Sequence, residues 1–287
     1  MKRVSRLNPC TICGRADWCG ISDDGSFAIC MRVESGRPSR NGGYIHILKL
    51  REYHRRPRRI SVTMLRSASS VVADLADRCR EWQEIADSGG WLENLSESIG
   101  VSLAALRRFG VGFNAAEHCW TWPLRDAAGR IIGVNRRFPD STKRVMLGTH
   151  AGLYIPDDIQ IGAGISGVLL VVEGGSDACA GFDMRFPTVG RFSCTGQTDM
   201  LADLVRAMNP SVMVIVGDSD GPGRAGAERL ARALRPLVRA LKLIEPPTGY
   251  KDLRAWRVAG ATDSELIRLI NETPPRPLRL EVVTHGR

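Results

Sequence analysis

Four carboxylates and four thiols in this chain stand at spacings that could do chemistry. Glu173 closes the apolar run of GVLLVVEGGSD, with Asp177 one helical turn further on, and Asp218 and Asp220 close SVMVIVGDSDG. Residues two apart on an extended chain project to the same side, so Asp218 and Asp220 can converge on one divalent cation. Gly221 and Gly223 would let the backbone pass close by. Carboxylate oxygens suit Mg²⁺ or Mn²⁺, and such ions clamp the entering and leaving oxygens of phosphoryl transfer. Without a cation, apposed acids lose water and repel one another, at a cost of roughly several kcal/mol. The competing explanation is that Asp-Ser-Asp-Gly is ordinary exposed turn chemistry.

The thiols sit at the other end. Cys10 and Cys13 form a C-x-x-C, and Cys19 and Cys30 follow. Asp24–Gly25 is a favoured two-residue hairpin turn. With that turn Cys19 faces Cys30, their Cβ atoms about 5 Å apart. Two thiolates on a hairpin and two on a tight turn make the tetrahedral sulfur site that zinc prefers. Four sulfurs leave no open coordination position, so the role is structural or recognition. Cys79, Cys119, Cys179 and Cys194 have no such arrangement and read as small buried residues.

The elements that must hold these groups follow from pattern. From Gly167 onward strands and helices alternate: GVLLVV, FPTVG, SVMVIVG and LKLIE as strands, QTDMLADLVRAMN and GRAGAERLARALRPLV as helices. Alternation of this kind implies a parallel sheet covered by helices, which binds ligands outside the carboxyl ends of its strands. The second of these helices places Ala227, Leu230, Ala231 and Leu234 on one face, and Thr262–Glu265 is a capping box opening a last helix. Upstream, Ser69–Ser70 are expected to cap an amphipathic helix bearing Val72, Leu75, Cys79, Trp82 and Ile85, and a short helix follows Ser102 and ends at Gly110. Two strands then flank a turn at Ala128–Gly129. The segment after Glu272 is Pro-rich and expected to be loose.

Charge is placed unevenly. Of a net +9 over 287 residues, residues 1–68 hold 14 Lys+Arg against 5 Asp+Glu, and the remainder 26 against 26. Much of the excess lies in a basic linker containing Arg51, Arg55, Arg56, Arg58 and Arg59. Such asymmetry points to a polyanion partner or to a solvated basic face. No stretch is apolar for the ~18 residues a membrane span needs, and MKRVSRLNPC lacks a secretory core, so a soluble, cytoplasmic protein with reduced thiols is expected.

E-G-x-x-D after one strand and D-x-D-G after a later one resemble the TOPRIM domain of primases, topoisomerases and some nucleases. With the N-terminal ribbon, TWPLRDAAGRIIGVNRRF, KRVMLGTHAGLYIP and GYKDLRAW, the chain is similar to DnaG-type DNA primases, in the form of a phage, plasmid or accessory relative without a helicase domain. It departs from them in having four cysteine ligands, where the replicative enzyme usually has a histidine among them, and in a shorter segment after the ribbon. The resemblance implies an α/β architecture: a zinc ribbon at 1–48, the basic linker at 49–68, a small α+β part of the polymerase core at 69–162, a TOPRIM-type parallel-sheet domain with helices on both faces at 163–272, and a flexible tail at 273–287. It implies metal-dependent nucleotidyl transfer making RNA primers, with structural Zn²⁺ and catalytic Mg²⁺ or Mn²⁺. Glu173 would be the acid–base or metal-associated glutamate, Asp218 and Asp220 the metal ligands, and Asp177 and Asp252 supporting acids. Arg136, Arg137, Lys143, Arg144 and Lys251 would face template or nucleotide phosphates, and the ribbon with Arg55, Arg56, Arg58 and Arg59 would hold the template. Trp18, Trp82 and Trp120 could stack bases or pack in cores. The implied partners are single-stranded DNA, ribonucleoside triphosphates and a separate replicative helicase, with no membrane. The rival functions are a TOPRIM nuclease and a non-catalytic nucleic-acid-binding module.

Overall fold

A computed structural model describes residues 1–23, 25–39, 42–48, 62–159, 161–162 and 167–278. The chain divides into two compact units, Met1–Met64 and Leu65–Arg287. Arg51, Arg55, Arg56, Arg58 and Arg59, expected to hold template, lie outside the described residues, as does Asp24 of the expected hairpin turn.

The first unit is a four-stranded antiparallel sheet of β1 (Lys2–Arg3), β2 (Gly20–Ile21), β3 (Phe27–Cys30) and β4 (Tyr44–Ile47), in that order. Gly20 pairs with Ile29 and Ile21 with Ala28, which carries Cys19 opposite Cys30 as the sequence requires. Val4, Cys10, Cys19 and Cys30 form its small buried cluster.

The second unit is built on one mixed sheet. Ahead of it run α1 (Val62–Ser88), α2 (Trp91–Ile99) and α3 (Leu103–Arg108). Ser69 and Ser70 lie inside α1 and do not cap it, a correction to the sequence reading. Residues 62–68 are mostly tolerable or good helix formers, and the helix runs back through them. Leu75, Cys79 and Trp82 of α1 are buried against Val134. Ser102 does cap α3, its hydroxyl accepting from the Ala105 N–H at 3.0 Å.

Next come β5 (Gly112–Asn114), β6 (Cys119–Arg125), β7 (Ile131–Arg137), β8 (Lys143–Val145) and β9 (Leu153–Tyr154). The alternating part supplies β10 (Val168–Glu173), α4 (Gly175–Asp183), β11 (Thr188–Arg191), α5 (Thr198–Met208), β12 (Val212–Val216), α6 (Gly221–Leu234), β13 (Ala240–Ile244), α7 (Leu253–Val258) and α8 (Asp263–Glu272). The order across the nine-stranded sheet is β13-β12-β10-β11-β9-β6-β7-β8, with β5 also on β6. β13, β12, β10 and β11 run parallel; from β9 on, neighbours are antiparallel. The α+β segment and the parallel sheet, expected as separate parts, are therefore joined edge to edge through β9.

Period-two alternation loads both faces. Leu170, Val172, Val214 and Val216 pack with residues of α2, α3, α4, α7 and α8 on one face. Leu169, Val171, Met213 and Ile215 pack with those of α5 and α6 on the other. The Pro-rich segment is not loose throughout: the Arg276 N–H donates to Leu241 O at 2.7 Å on edge strand β13, and its guanidinium pairs with Glu228. Among the described residues no helix is long and apolar enough to cross a membrane.

Candidate active site and metal centre

In the first unit the thiols of Cys10, Cys13, Cys19 and Cys30 all lie within 4.8 Å of one another, and among the described residues they are the one group of three or more metal-ligating side chains so gathered. Cys13 and Cys19 sulfurs are 3.7 Å apart and those of Cys19 and Cys30 3.9 Å. A zinc tetrahedron with bonds of about 2.3 Å has sulfur–sulfur edges of about 3.8 Å, so the cluster has the spacing of a structural zinc site. Backbone donors surround it: Met31 N–H to Cys19 Sγ at 3.4 Å and Val33 N–H to Cys30 Sγ at 3.3 Å. The Cys13 thiol is pulled down to about 6, chiefly by the Arg15 peptide N–H, while burial pushes Cys19 up to about 12. Four thiolates held this close need a cation to ionise together.

In the second unit Glu173 ends β10, and Asp218 lies two residues past the end of the neighbouring parallel strand β12. Gly174, at φ 92° and ψ 158°, turns the chain from β10 into α4 through a backbone region only glycine enters readily. Gly223 is needed for a different reason: a Cβ there would fall 2.5 Å from the Asp218 Cβ. Gly221, expected to have the same role, has open space around it.

The acids interact. Burial, then Glu173 and Asp252, push Asp218 up to about 7, with Lys251 opposing. Glu173 is raised by burial and by Asp220, against the pull of the Arg191 guanidinium, the Cys194 N–H and the Lys251 ammonium. Asp177 is buried and raised to about 8, by loss of water first and Asp252 second. Their oxygens do not gather as tightly as the thiols do; the acids form an open cluster at the carboxyl ends of the strands. Hard oxygen donors that hold one another's protons on in this way are a fit for divalent cations, which would relieve the repulsion.

Several of these side chains also hold the scaffold. Asp220 is the N-cap of α6, its Oδ1 accepting from Gly223 N–H at 2.8 Å, and its Oδ2 lies 3.9 Å from Lys251 Nζ. Asp252 caps α7 through Ala255 N–H at 2.7 Å, and Asp177 accepts from Arg254 N–H at 3.0 Å in the same turn. Ser219, which the sequence did not single out, ties the two loops together: its hydroxyl donates to Tyr250 O at 2.8 Å and its N–H to Lys251 O at 2.8 Å.

The four basic residues expected at phosphates separate by strand alternation. Arg137 pairs in register with Lys143, and Arg136 with Arg144. Asn135 donates to Tyr154 Oη at 2.8 Å on the α4 face, whereas Val134 packs on α1. Arg137 therefore lies on the α4 face, lowered by burial and by Arg254. Lys143 is an exposed residue, yet its ammonium is shielded enough that loss of water and Arg137 lower it, while Asp177 raises it. Arg136 and Arg144 lie on the opposite face, flanking the Phe138 ring at 5.8 Å each, and Arg136 is paired with Glu117. Sequence reasoning also missed Arg191, buried in register beside Glu173, and Arg254, which ties α7 to the Ile99 carbonyl at 3.0 Å. Of the three tryptophans, Trp82 is buried and Trp120 donates to Trp91 O at 3.0 Å against the edge of Phe113, both core roles; Trp18 stands in water.

No family model matches this sequence, and no curated protein matches it either. Solved structures do. The E. coli primase catalytic core is 18% identical over 71% of this chain and 80% of its own length, with a TM-score of 0.56. The RNA polymerase domain of Mycobacterium tuberculosis primase DnaG is 20% identical, covering 72% and 81%, with a TM-score of 0.56. The zinc-binding and RNA polymerase domains of Aquifex aeolicus primase are 16% identical, covering 77% and 64%, with a TM-score of 0.58. The chain has the mixed α/β fold of DnaG-type primase catalytic cores, with a zinc-ribbon-like segment before it.

Proposed function

We propose that this protein is a primase of mobile-element or accessory type, joining ribonucleotides into short RNA primers on single-stranded DNA. The observation that carries this is the placement of Asp218, raised by burial and then by Glu173 and Asp252, just past the carboxyl end of a strand beside β10. The fold of DnaG-type primase cores supports it, and one such core, 19% identical with a TM-score of 0.55, was solved bound to single-stranded DNA. In this reading 163–272 is a TOPRIM domain, 69–162 the rest of the polymerase core and 1–48 a zinc ribbon.

Mg²⁺ or Mn²⁺ bound at the acids would supply the charge that steadies a transferring phosphoryl group. Asp218 and the oxygen of Asp220 that does not cap α6 would hold it. Glu173, kept proton-avid by burial, would take the proton of the attacking hydroxyl. Lys251, Arg137 and Lys143 face the triphosphate, and the ribbon with the basic linker holds the template by charge. A gel assay with template, labelled ribonucleotides and Mg²⁺ or Mn²⁺ tests this against its rivals. Primers support it, cleaved template means a nuclease, and a shifted band alone means a binding module. The open spacing of the acids is the observation that favours the last.

A further inference from the structure

Trp18 is 80% exposed, the most exposed aromatic ring among the large apolar side chains of the described residues. Its backbone is at φ 65°, a left-handed conformation that a bulky side chain adopts only under constraint. The constraint is visible. The N–H of Cys19 donates to the Asp17 carbonyl at 2.8 Å, closing a three-residue turn with Trp18 at its apex. Arg32 locks that turn to the thiol cluster, donating to Asp17 O at 3.1 Å and Asp17 Oδ1 at 2.7 Å, and reaching Cys19 Sγ at 3.8 Å. Strain is thus retained to aim an indole away from the protein, beside a metal-ligating residue. The ribbon that carries it is cationic: Lys2, Arg3, Arg6 and Arg15 have no carboxylate partner among the described residues, and Asp17 is already neutralised by Arg32. An exposed aromatic face on a basic segment matches a base joined to a phosphate backbone.

We propose that Trp18 is a stacking platform for one nucleobase of single-stranded nucleic acid, presented by the strained turn that Arg32 and Cys19 hold. The inference deepens the template-holding role given to the ribbon above and rests on it. Binding is read by fluorescence anisotropy of a labelled oligothymidylate and of an abasic oligomer of equal length, on the full chain.

Trp18→Gly should weaken the oligothymidylate about tenfold or more, with an unchanged salt slope, because stacking is lost and phosphate contacts are kept. Trp18→Phe should stay within about threefold. On the abasic oligomer, wild type and Trp18→Gly should bind alike. Glycine accepts the left-handed turn without strain, so Trp18→Gly should retain zinc as well as the wild type. Equal binding of oligothymidylate by wild type and Trp18→Gly overturns the proposal, and so does equal loss on both oligomers or loss of zinc. Trp18-dependent binding by a chain that makes no primers would sink the enzyme reading and leave this one standing.

Discussion

The thiol cluster and the acid cluster differ in how they are held. The four thiols are brought together by one hairpin and one tight turn, within 30 residues, and stand at the spacing of a filled zinc site. The acids come from three loops spread over residues 173–252, brought together by strand order, and remain apart. A structural ion belongs in the first kind of site, where the protein is shaped to one geometry. In the proposed reading a catalytic ion would belong in the second, where substrate oxygens would complete the shell.

Removing the metal should separate the two most sharply. Cys19→Ser, or a strong chelator, should release about one zinc and unfold the ribbon, since apparent zinc contributions to such small modules are about 10–16 kcal/mol. The second unit should keep its circular dichroism. A ribbon that stays folded without zinc would break the comparison.

Asp218→Asn comes next. Synthesis should fall at least about 100-fold, because an amide is a poor ligand for a hard cation. The metal-free fold should gain. Asp218 binds its proton more tightly folded, at about 7, than unfolded, at about 3.9, so its contribution to stability falls as pH rises through that window. Asp177, raised to about 8, acts in the same direction. Metal-free wild type should therefore melt lower at pH 8 than at pH 5. Asp218→Asn should flatten that slope and be more stable at pH 8 by about 1 kcal/mol, after allowance for its partial exposure. A flat wild-type profile would mean that the acids are not coupled.

Gly223→Ala sharpens the contrast in close approach. Its Cβ would meet Asp218 at 2.5 Å, so a loss of about 1–3 kcal/mol in thermal unfolding is expected, with reduced turnover. Gly221→Ala, with nothing near, should change little. The smallest effect concerns the faces of β7. Arg137→Ala should raise the ribonucleotide KM by about tenfold, about one charged hydrogen bond, and Arg136→Ala should leave it within about twofold.

Legibility followed the same division. The pairing of Cys19 with Cys30 could be read from the chain because a hairpin register is set by its own turn. The strand-end positions of Glu173, Asp218 and Asp220 were readable from apolar runs, but not the order that places β10 beside β12, which depends on pairings between distant segments. The capping role of Asp220 was within reach, since Asp-Gly-Pro is a helix-start signal. So was the division of Arg136 from Arg137, which period two alone decides. Ser69–Ser70 misled because serine is a cap preference and not a cap. Arg191 and Ser219 carried no sequence signal, as their partners lie on other loops.

The capping bond of Asp220 bears on which ion the proposed site would use. With Oδ1 held by the Gly223 N–H at 2.8 Å, Oδ2 is the oxygen of this carboxylate that the helix start leaves unclaimed. A two-oxygen chelate there would compete with that capping bond for Oδ1. Large cations that favour bidentate carboxylates and seven or eight ligands would be disfavoured by that competition, and a small octahedral ion content with one oxygen per acid would not. Selectivity for magnesium-sized ions over calcium would then originate in the start of a helix, where a backbone amide competes with the metal for the same side chain.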